Sequence, residues 1–339
     1  MTTPRDRVYR AARRMLAQTV PSPVFDTRKI MVVGLPRSGT SWLAKGLSLS
    51  PGVSYYFEPD HHWPTHTRYI YLPSDQHSPE LHALVRKALE GRVRDEYAVA
   101  ELDWGGLLKQ PLAKTVLTKF VRLPLAVDWL DTQFPQARIA QIIRHPVPLI
   151  LSWQARGWRP DRQVERLLAQ KPLMSKELKP YRFAMTSAEG YWEKAAAFWA
   201  ATTVRQLNAR RPGNLLVQHE WLCQAPQERF GWLYDQLGLE KGEDLSRFLN
   251  GNLRKDAGPG YGRWRDPRSE IHKWKDQIDA DALRQVKRVA ERFELPVYRE
   301  LDPEDLLAPG KDRLPAPAPS SQASLAPALL NKRRWRASA

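Results

Sequence analysis

Short apolar runs recur along the chain, each bounded by turn-forming or charged residues. They are rich in Val, Ile and aromatic side chains, which favour extended backbone buried in a sheet. Five such runs predict strands, at 30–33, 53–57, 114–121, 138–143 and 214–220. Because the run at 30–33 is apolar throughout, we expect a buried strand of a parallel sheet that is covered on both faces, although the run at 114–121 alternates.

Stretches with apolar residues at helical spacing separate these runs, and they predict helices at 40–49, 81–89, 123–134, 188–207 and 279–293. The alternation of strand and helix predicts an α/β fold with a parallel central sheet and helices on both faces. Two segments depart from this pattern. Residues 64–113 are polar and predict an irregular insertion, and residues 154–185 are basic and predict a loop-rich segment.

Composition narrows the class of protein. The 339 residues carry a formal net charge of +16, which attracts anions without distinguishing a small molecule, a nucleic acid or a membrane surface. The single cysteine, Cys223, excludes an internal disulfide framework and a cysteine-based zinc site. The sequence has no apolar stretch of membrane-spanning length, and its Arg-rich start is unlike a secretion signal, so we predict a cytoplasmic protein.

The turn after the first strand, residues 34–41, has the composition of an anion-binding loop. A strand, a glycine-containing loop and a helix together gather backbone N–H groups around an anion. The loop also offers one cation and three hydroxyls, on Arg37, Ser38, Thr40 and Ser41, around Gly39. A nucleotide triphosphate loop would have Lys directly after the second glycine, where this chain has Thr40. The pattern therefore favours a phosphate-type ligand with no obligatory metal.

Candidate acid–base residues follow the second strand. Glu58 lies where that strand should end, at the same edge as the loop, and it is the candidate general base. A closed apolar site with Phe57 and Trp63 would raise its pKa above the free value. His61 and His62 are the alternatives, since imidazole titrates near neutral pH. Adjacent histidines rarely converge on one ion, so we predict no metal site here.

Two further positions complete the candidate anion site. Arg144 follows the fourth strand, and Ser152 is predicted near the start of the next helix, where a hydroxyl and the helix N-terminus bind phosphate. Lys119, near the end of the third strand, would point either into this site or, as is commoner, to solvent.

Three blocks of the sequence resemble the PAPS-dependent sulfotransferases, most closely their carbohydrate and bacterial branches. Residues 36–43 resemble the loop that binds the 5′-phosphosulfate, residues 56–63 resemble the segment after it, and residues 137–153 resemble the 3′-phosphate motif. The resemblance implies a P-loop-type nucleotide-binding fold and PAPS as the sulfuryl donor, with no metal. It also assigns roles to individual residues, given next.

In this resemblance the residues that hold the 5′-phosphosulfate are Arg37, Ser38, Gly39, Thr40 and Ser41. Trp42 would stack on the adenine, and Arg144 and Ser152 would hold the 3′-phosphate. Glu58 and Arg37 are the implied catalytic residues, with Arg37 supporting the bridging oxygen, and His62 is included as a candidate because of its own imidazole chemistry. Arg254 and Lys255 match a loop that closes over the 3′-phosphate, but Asp256 stands where the family has Gly.

The resemblance implies transfer to a hydroxyl of a carbohydrate, a lipid or a small metabolite, and 154–185 is a candidate acceptor-binding arm for an anionic substrate. The alternatives are an ATP-dependent phosphotransferase and a non-catalytic module that binds membrane or polyanion. We predict a basic N-terminal arm (1–28), a catalytic domain (29–305) and a disordered Pro/Ala/Ser-rich tail (306–339). No nucleic-acid partner is predicted; peripheral membrane contact and oligomeric state stay open.

Overall fold

The computed structural model describes residues 26–306 except 103, 210–212 and 252–265, together with 12, 15–16 and 18–23. The division into arm, catalytic domain and tail stays a prediction. Arg254 and Lys255 lie outside the described residues.

Five parallel strands form one sheet in the order β2-β3-β1-β4-β5. They are β1 (Arg28–Gly34), β2 (Val53–Phe57), β3 (Thr115–Phe120), β4 (Ala137–Ile143) and β5 (Leu215–Gln218). All five predicted strands are confirmed. The last one is shorter than predicted, because His219 and Glu220 already belong to the following helix. Val33 lies opposite Phe120, and Gly34 lies opposite Ile142, so the carboxyl ends of the central strands share one edge.

Fourteen α-helices surround the sheet in the described part of the chain. They are α1 (Thr40–Ser48), α2 (Pro79–Leu89), α3 (Trp104–Lys109), α4 (Val127–Gln133), α5 (Pro146–Gln154), α6 (Pro160–Leu168), α7 (Lys171–Lys176), α8 (Arg182–Thr186), α9 (Gly190–Asn208), α10 (His219–Gln224), α11 (Pro226–Leu237), α12 (Asp244–Leu249), α13 (Ser269–His272) and α14 (Ala280–Glu291). The predicted helices correspond to α1, α2, α4, α9 and α14, although α4 begins four residues later than expected, at Val127.

The prediction of a loop-rich segment at 154–185 is wrong, since α6, α7 and α8 occupy most of it. The segment is rich in charged residues, and its few apolar residues at helical spacing were therefore overlooked. Val164 and Leu167 are buried, whereas Arg162 and Glu165 on the same helix are exposed. A helix needs only such a narrow apolar stripe to pack against a domain.

Helices cover both faces of the sheet, as predicted. Met31 and Val33 of β1 join one buried cluster with side chains from α2 and α4. Ile30 and Val32 point to the opposite face and join a second cluster with residues of α1 and α11. Successive side chains of a strand point to opposite faces, so β1 contributes to both cores.

Gly46 lies at a close contact between α1 and α11. A Cβ atom at this position would lie 2.2 Å from Cε1 of Phe230, which is fully buried. Tyr234 of α11 also donates a hydrogen bond to the Gly46 carbonyl at 2.6 Å. Because Gly46 has no side chain, the helix that follows the anion-binding loop can pack directly against α11.

We expect Gly46→Ala to lower the free energy of unfolding by about 1–3 kcal/mol, because overpacking outweighs the higher helix propensity of alanine. The matched control is Gly231→Ala in α11, where the nearest atom to a new Cβ is a lysine side-chain atom at 4.0 Å. That control should gain about 0.5–1 kcal/mol. Urea unfolding of the three proteins measures both effects, and an unchanged stability of Gly46→Ala would contradict the packing described.

Candidate active site

The loop between β1 and α1 packs too closely for side chains at its glycines. A Cβ at Gly34 would lie 2.6 Å from the Ile142 carbonyl oxygen, and one at Gly39 would lie 2.4 Å from Nδ1 of His219. Gly39 also has a φ of 95°, in the left-handed region that favours glycine. Arg37 adopts a φ of 74°, which is uncommon for a residue with a side chain. The loop is held in a defined shape against β4 and α10.

Hydrogen bonds inside and beneath the loop hold this shape. Ser38 is buried, and its hydroxyl donates to the Leu35 carbonyl at 2.7 Å. Trp153 of α5 donates from Nε1 to the Pro36 carbonyl at 2.9 Å. The Ser38 hydroxyl proton is thus used within the loop, so Ser38 shapes the loop. Arg37, Ser41 and the backbone N–H groups provide donors around it.

The two predicted anion motifs meet at Arg37. Its Nε donates to Oγ of Ser152 at 2.9 Å, and its carbonyl accepts from Nη1 of Arg144 at 3.0 Å. These residues are more than a hundred positions apart along the chain. They converge because β1 and β4 are neighbours in the sheet and end at the same edge.

The predicted position of Ser152 near the start of a helix is wrong. Pro146 starts α5 two residues after Arg144, and proline suits the first helical position. Ser152 therefore lies in the last turn of α5. The N-terminus of α5 is capped by His145, whose side chain accepts from the Val147 N–H. A phosphate near Ser152 would meet its hydroxyl and the two arginines, and not the helix N-terminus.

Two buried nitrogen atoms near the loop have no hydrogen-bond partner within the described part of the chain. They are Nε of Arg144 and Nδ1 of His219. Burial lowers the pKa of His219 well below its usual value, and Arg144 lowers it further, so the ring is neutral. A buried polar atom without a partner is unfavourable, and such atoms are candidates for contact with a ligand.

Glu58 follows β2 and contacts two cations. Its carboxylate lies 2.8 Å from Nζ of Lys119 and 3.6 Å from Nη1 of Arg122. Tyr97, from the polar insertion, donates its hydroxyl to the same carboxylate at 3.3 Å. The backbone of Glu58 has a φ of 41°, and a short 3₁₀ turn (Pro59–His61) follows. The strained turn aims this carboxylate at the edge of the sheet.

The pKa of Glu58 differs from the sequence-based expectation. Burial alone would raise this pKa, but the Lys119 ammonium and then the Arg122 guanidinium together hold it below its usual value. The expectation considered only the apolar neighbours, and the paired cations reverse its sign. Glu58 is therefore ionised at neutral pH.

Lys119 is the residue whose importance the sequence understated. Its side chain is 0 % exposed, so the commoner solvated orientation is wrong. Nζ donates to Oγ of Ser41 at 2.5 Å and lies 3.6 Å from the centre of the Phe57 ring. Burial lowers the pKa of this ammonium, and Glu58 opposes the shift. Lys119 thus links the loop hydroxyl to the Glu58 carboxylate.

Asp60 holds in place the backbone next to Lys119 and Arg122, the two cations that contact Glu58. It is buried and accepts hydrogen bonds from the backbone N–H groups of Val121 and Arg122, at 2.9 and 2.7 Å. Burial raises the pKa of Asp60 to about 6 despite these donors and Arg122. Asp60 fixes the turn that carries Arg122 towards Glu58.

The two histidines lie on the outer side of this group. Nδ1 of His61 lies 2.9 Å from Nη2 of Arg122, which ties its ring to the cluster. His62 is 59 % exposed and pairs with Asp95 of the insertion. Of the two, His61 is the closer to Glu58 and Arg122, whereas His62 is the one included among the candidate catalytic residues.

Trp42, the predicted adenine-stacking residue, is half-buried on α1. It packs edge-on against Phe230 at 5.3 Å and His219 at 5.8 Å between ring centres. Neither a cluster of three metal-ligating side chains nor a helix able to cross a membrane is present within residues 26–306 as described.

Comparison with known proteins identifies the family. A family model described as "Sulfotransferase family" matches residues 29–244, more than half of the 339 residues. No curated protein matches the sequence.

Solved structures of similar proteins share low identity with this chain. A sulfotransferase domain from the curacin biosynthetic pathway is 17 % identical, with a TM-score of 0.45 over 79 % of this chain and 98 % of that one. The sulfotransferase domain of the Synechococcus PCC 7002 olefin synthase is 18 % identical, with a TM-score of 0.43 over 81 % and 98 %. A mouse sulfotransferase complexed with PAP is 10 % identical, with a TM-score of 0.38 over 86 % and 92 %. On the strength of the family match, the chain belongs to the sulfotransferase family and is a sulfuryl-transferring enzyme.

Proposed function

We propose that this enzyme uses PAPS as its donor and transfers the sulfuryl group to a hydroxyl acceptor, with Glu58 as the general base. The observation that carries the proposal is the junction of Arg37, Arg144 and Ser152, because it joins the two anion motifs into one site. A donor with phosphate at both its 5′ and 3′ positions suits two such motifs at one sheet edge.

The residues present fit a nucleotide with two separate anionic groups. Arg144 keeps one buried guanidinium nitrogen without a partner among the residues described, which leaves a donor for a phosphate oxygen. The glycines at 34 and 39 keep the loop backbone close to β4 and α10. Arg37, Thr40 and Ser41 would hold the 5′-phosphosulfate, with Ser38 fixing the loop, and Arg144 with Ser152 would hold the 3′-phosphate. When bound, PAPS supplies the sulfuryl group and PAP as the leaving group.

Glu58 and Lys119 are arranged for the transfer of a proton. In the proposed reaction the acceptor oxygen forms a bond to sulfur, the bond from sulfur to the phosphate oxygen of PAP breaks, and Glu58 takes the acceptor's proton. Lys119 lies between Ser41 of the loop and Glu58, so its ammonium would stabilise negative charge that develops beside the loop during the transfer. Arg37, which the loop projects beside Ser152, would support the bridging oxygen.

The donor is tested by calorimetric binding of PAP, ATP and AMP, with and without magnesium. We expect micromolar, magnesium-independent binding of PAP that weakens about tenfold or more in Arg144→Ala, since a charged hydrogen bond contributes about 1.5–3 kcal/mol. Arg138→Ala is the matched control, because Arg138 lies at the opposite end of β4. A preference for ATP with magnesium would overturn the assignment of the donor.

The base is tested with an acceptor found by screening hydroxyl compounds with labelled PAPS. We expect Glu58→Gln to lower kcat by about 10²–10⁴ while the affinity for PAP stays within twofold, because the amide cannot accept the proton. His61→Gln and His62→Gln are made in parallel. If either histidine variant loses as much activity as Glu58→Gln, or Glu58→Gln stays active, Glu58 is not the base.

The Lys119–Glu58 pair predicts a change in pH dependence. A lowered pKa means that Glu58 stabilises the fold above its unfolded pKa, and this stability is lost as pH falls through its folded pKa. In Lys119→Met, burial is less opposed, so the pKa of Glu58 should rise and the variant should gain stability relative to wild type as pH falls from 8 to 5. Asp60 is coupled to both Glu58 and Lys119, so the difference between the two proteins reports the titration of the two carboxyl groups together.

Urea unfolding across this pH range measures the difference. Lys114→Met is the control, since the Lys114 side chain is 74 % exposed. A constant difference between Lys119→Met and wild type at every pH would contradict the coupling of Lys119 and Glu58.

A further inference from the structure

A cavity of about 510 Å³ lies between the segment after the Pro59–His61 turn and helix α6. Its volume is within the range of small-molecule sites. The polar residues that line it are His66, Arg68, Arg162, Glu165, Arg166 and Gln170. We call it the Arg68 pocket.

The Arg68 pocket carries an excess of positive charge. Three guanidinium groups line it, against one carboxylate, that of Glu165. His66 is paired with Glu80 at 2.8 Å, outside the lining residues. Nε of Arg68 is buried and has no hydrogen-bond partner in the described part of the protein, although its Nη2 donates to the His61 carbonyl at 3.0 Å. A buried guanidinium donor without an acceptor is unfavourable, and an anionic ligand would satisfy it.

A series of contacts links Arg68 of the pocket to the candidate base. Arg68 donates to the His61 carbonyl, and the His61 ring contacts Arg122 at 2.9 Å. Arg122 in turn lies 3.6 Å from the Glu58 carboxylate. The Tyr69 N–H also donates to the Arg122 carbonyl at 2.7 Å. The side chains of His61 and Arg122 therefore lie between the pocket and Glu58, and an acceptor held at both places would extend past these two side chains.

The two walls of the pocket are joined by Gln170. Its amide accepts from the Tyr71 N–H at 2.7 Å and donates to the Tyr69 carbonyl at 2.9 Å. It also donates to the Arg166 carbonyl at 3.2 Å, within α6. These bonds fix the backbone of α6 relative to the segment that carries Arg68. A backbone held in place lowers the cost of ordering on binding.

We propose that the Arg68 pocket binds an anionic oxygen group of the acceptor, so that the substrate is a hydroxyl compound with a carboxylate or an existing sulfate. This rests on the proposed function, because it places the acceptor hydroxyl at Glu58. A planar guanidinium matches such groups with two parallel hydrogen bonds. Ile70 and Ala169 line the same pocket and provide apolar contact for the carbon skeleton of the acceptor.

Matched ligand pairs that differ only in charge test the proposal. The first pair is 4-nitrophenyl β-glucuronide and 4-nitrophenyl β-glucoside, and the second is 4-hydroxybenzoate and 4-hydroxybenzamide. Each is titrated calorimetrically into the full-length protein, with and without saturating PAP. We expect the anionic member of at least one pair to bind about tenfold more tightly than its neutral partner, as a charged hydrogen bond predicts.

Substitutions locate this preference. Arg166→Gln and Arg162→Gln should each reduce it to threefold or less. Arg159→Gln should leave it unchanged, because Arg159 is paired with Asp161 beside α6 and does not line the pocket. PAP affinity should be the same in all three variants, which also shows that they fold.

The outcomes separate this proposal from the proposed donor. If PAP binds but neither pair shows a preference for the anion, or if the preference survives in both Arg166→Gln and Arg162→Gln, the acceptor subsite is overturned and the donor stands. If Arg159→Gln reduces the preference for the anion as much as the pocket variants do, the preference arises from the long-range electrostatic field of the protein, and the subsite is also overturned. If PAP does not bind but the preference is lost in Arg166→Gln, the donor is overturned and the pocket stands as an anion site.

Discussion

The buried ammonium of Lys119, at the edge of the sheet, constrains the positions of the residues that contact it. Lys119 has no exposed surface, and a buried charge is tolerated only when partners and hydrogen bonds compensate for lost water. Glu58 from the end of β2 and Ser41 from the start of α1 supply that compensation. The strained turn at Glu58 and the path of the anion-binding loop are both consistent with this requirement. Removing the partner carboxylate would leave the ammonium in a poorly solvated place.

The sequence predicted the sheet well, because its strands are short runs rich in β-branched and aromatic residues and each ends at a turn or a helix start. The run of Met31, Val32 and Val33 is buried on both faces, and such a run has few alternatives to a central strand. Helices with few apolar residues were harder to predict. In α6 the charges of Arg162 and Glu165 dominate the composition, and only Val164 and Leu167 carry the packing.

The candidate site could be predicted where a functional side chain follows a strand directly. Arg37, Glu58 and Arg144 were found in this way, since the carboxyl ends of parallel strands share an edge. Residues that reach the site through tertiary packing could not be found. The contact of His219 with Gly39 depends on where α10 packs, and the ionised state of Glu58 depends on Lys119 and Arg122, which come from another strand and its following turn.

Residues at both ends of helix α5 form hydrogen bonds with Pro36 and Arg37 in the loop after β1. Trp153 bonds to the Pro36 carbonyl, Ser152 accepts from Arg37, and Arg144, just before the helix, bonds to the Arg37 carbonyl. These hydrogen bonds therefore fix the distance between the two proposed phosphate sites. The enzyme would select ligands whose two anionic groups are separated by this distance. A nucleotide with a different separation could not bind through a movement of one phosphate site alone.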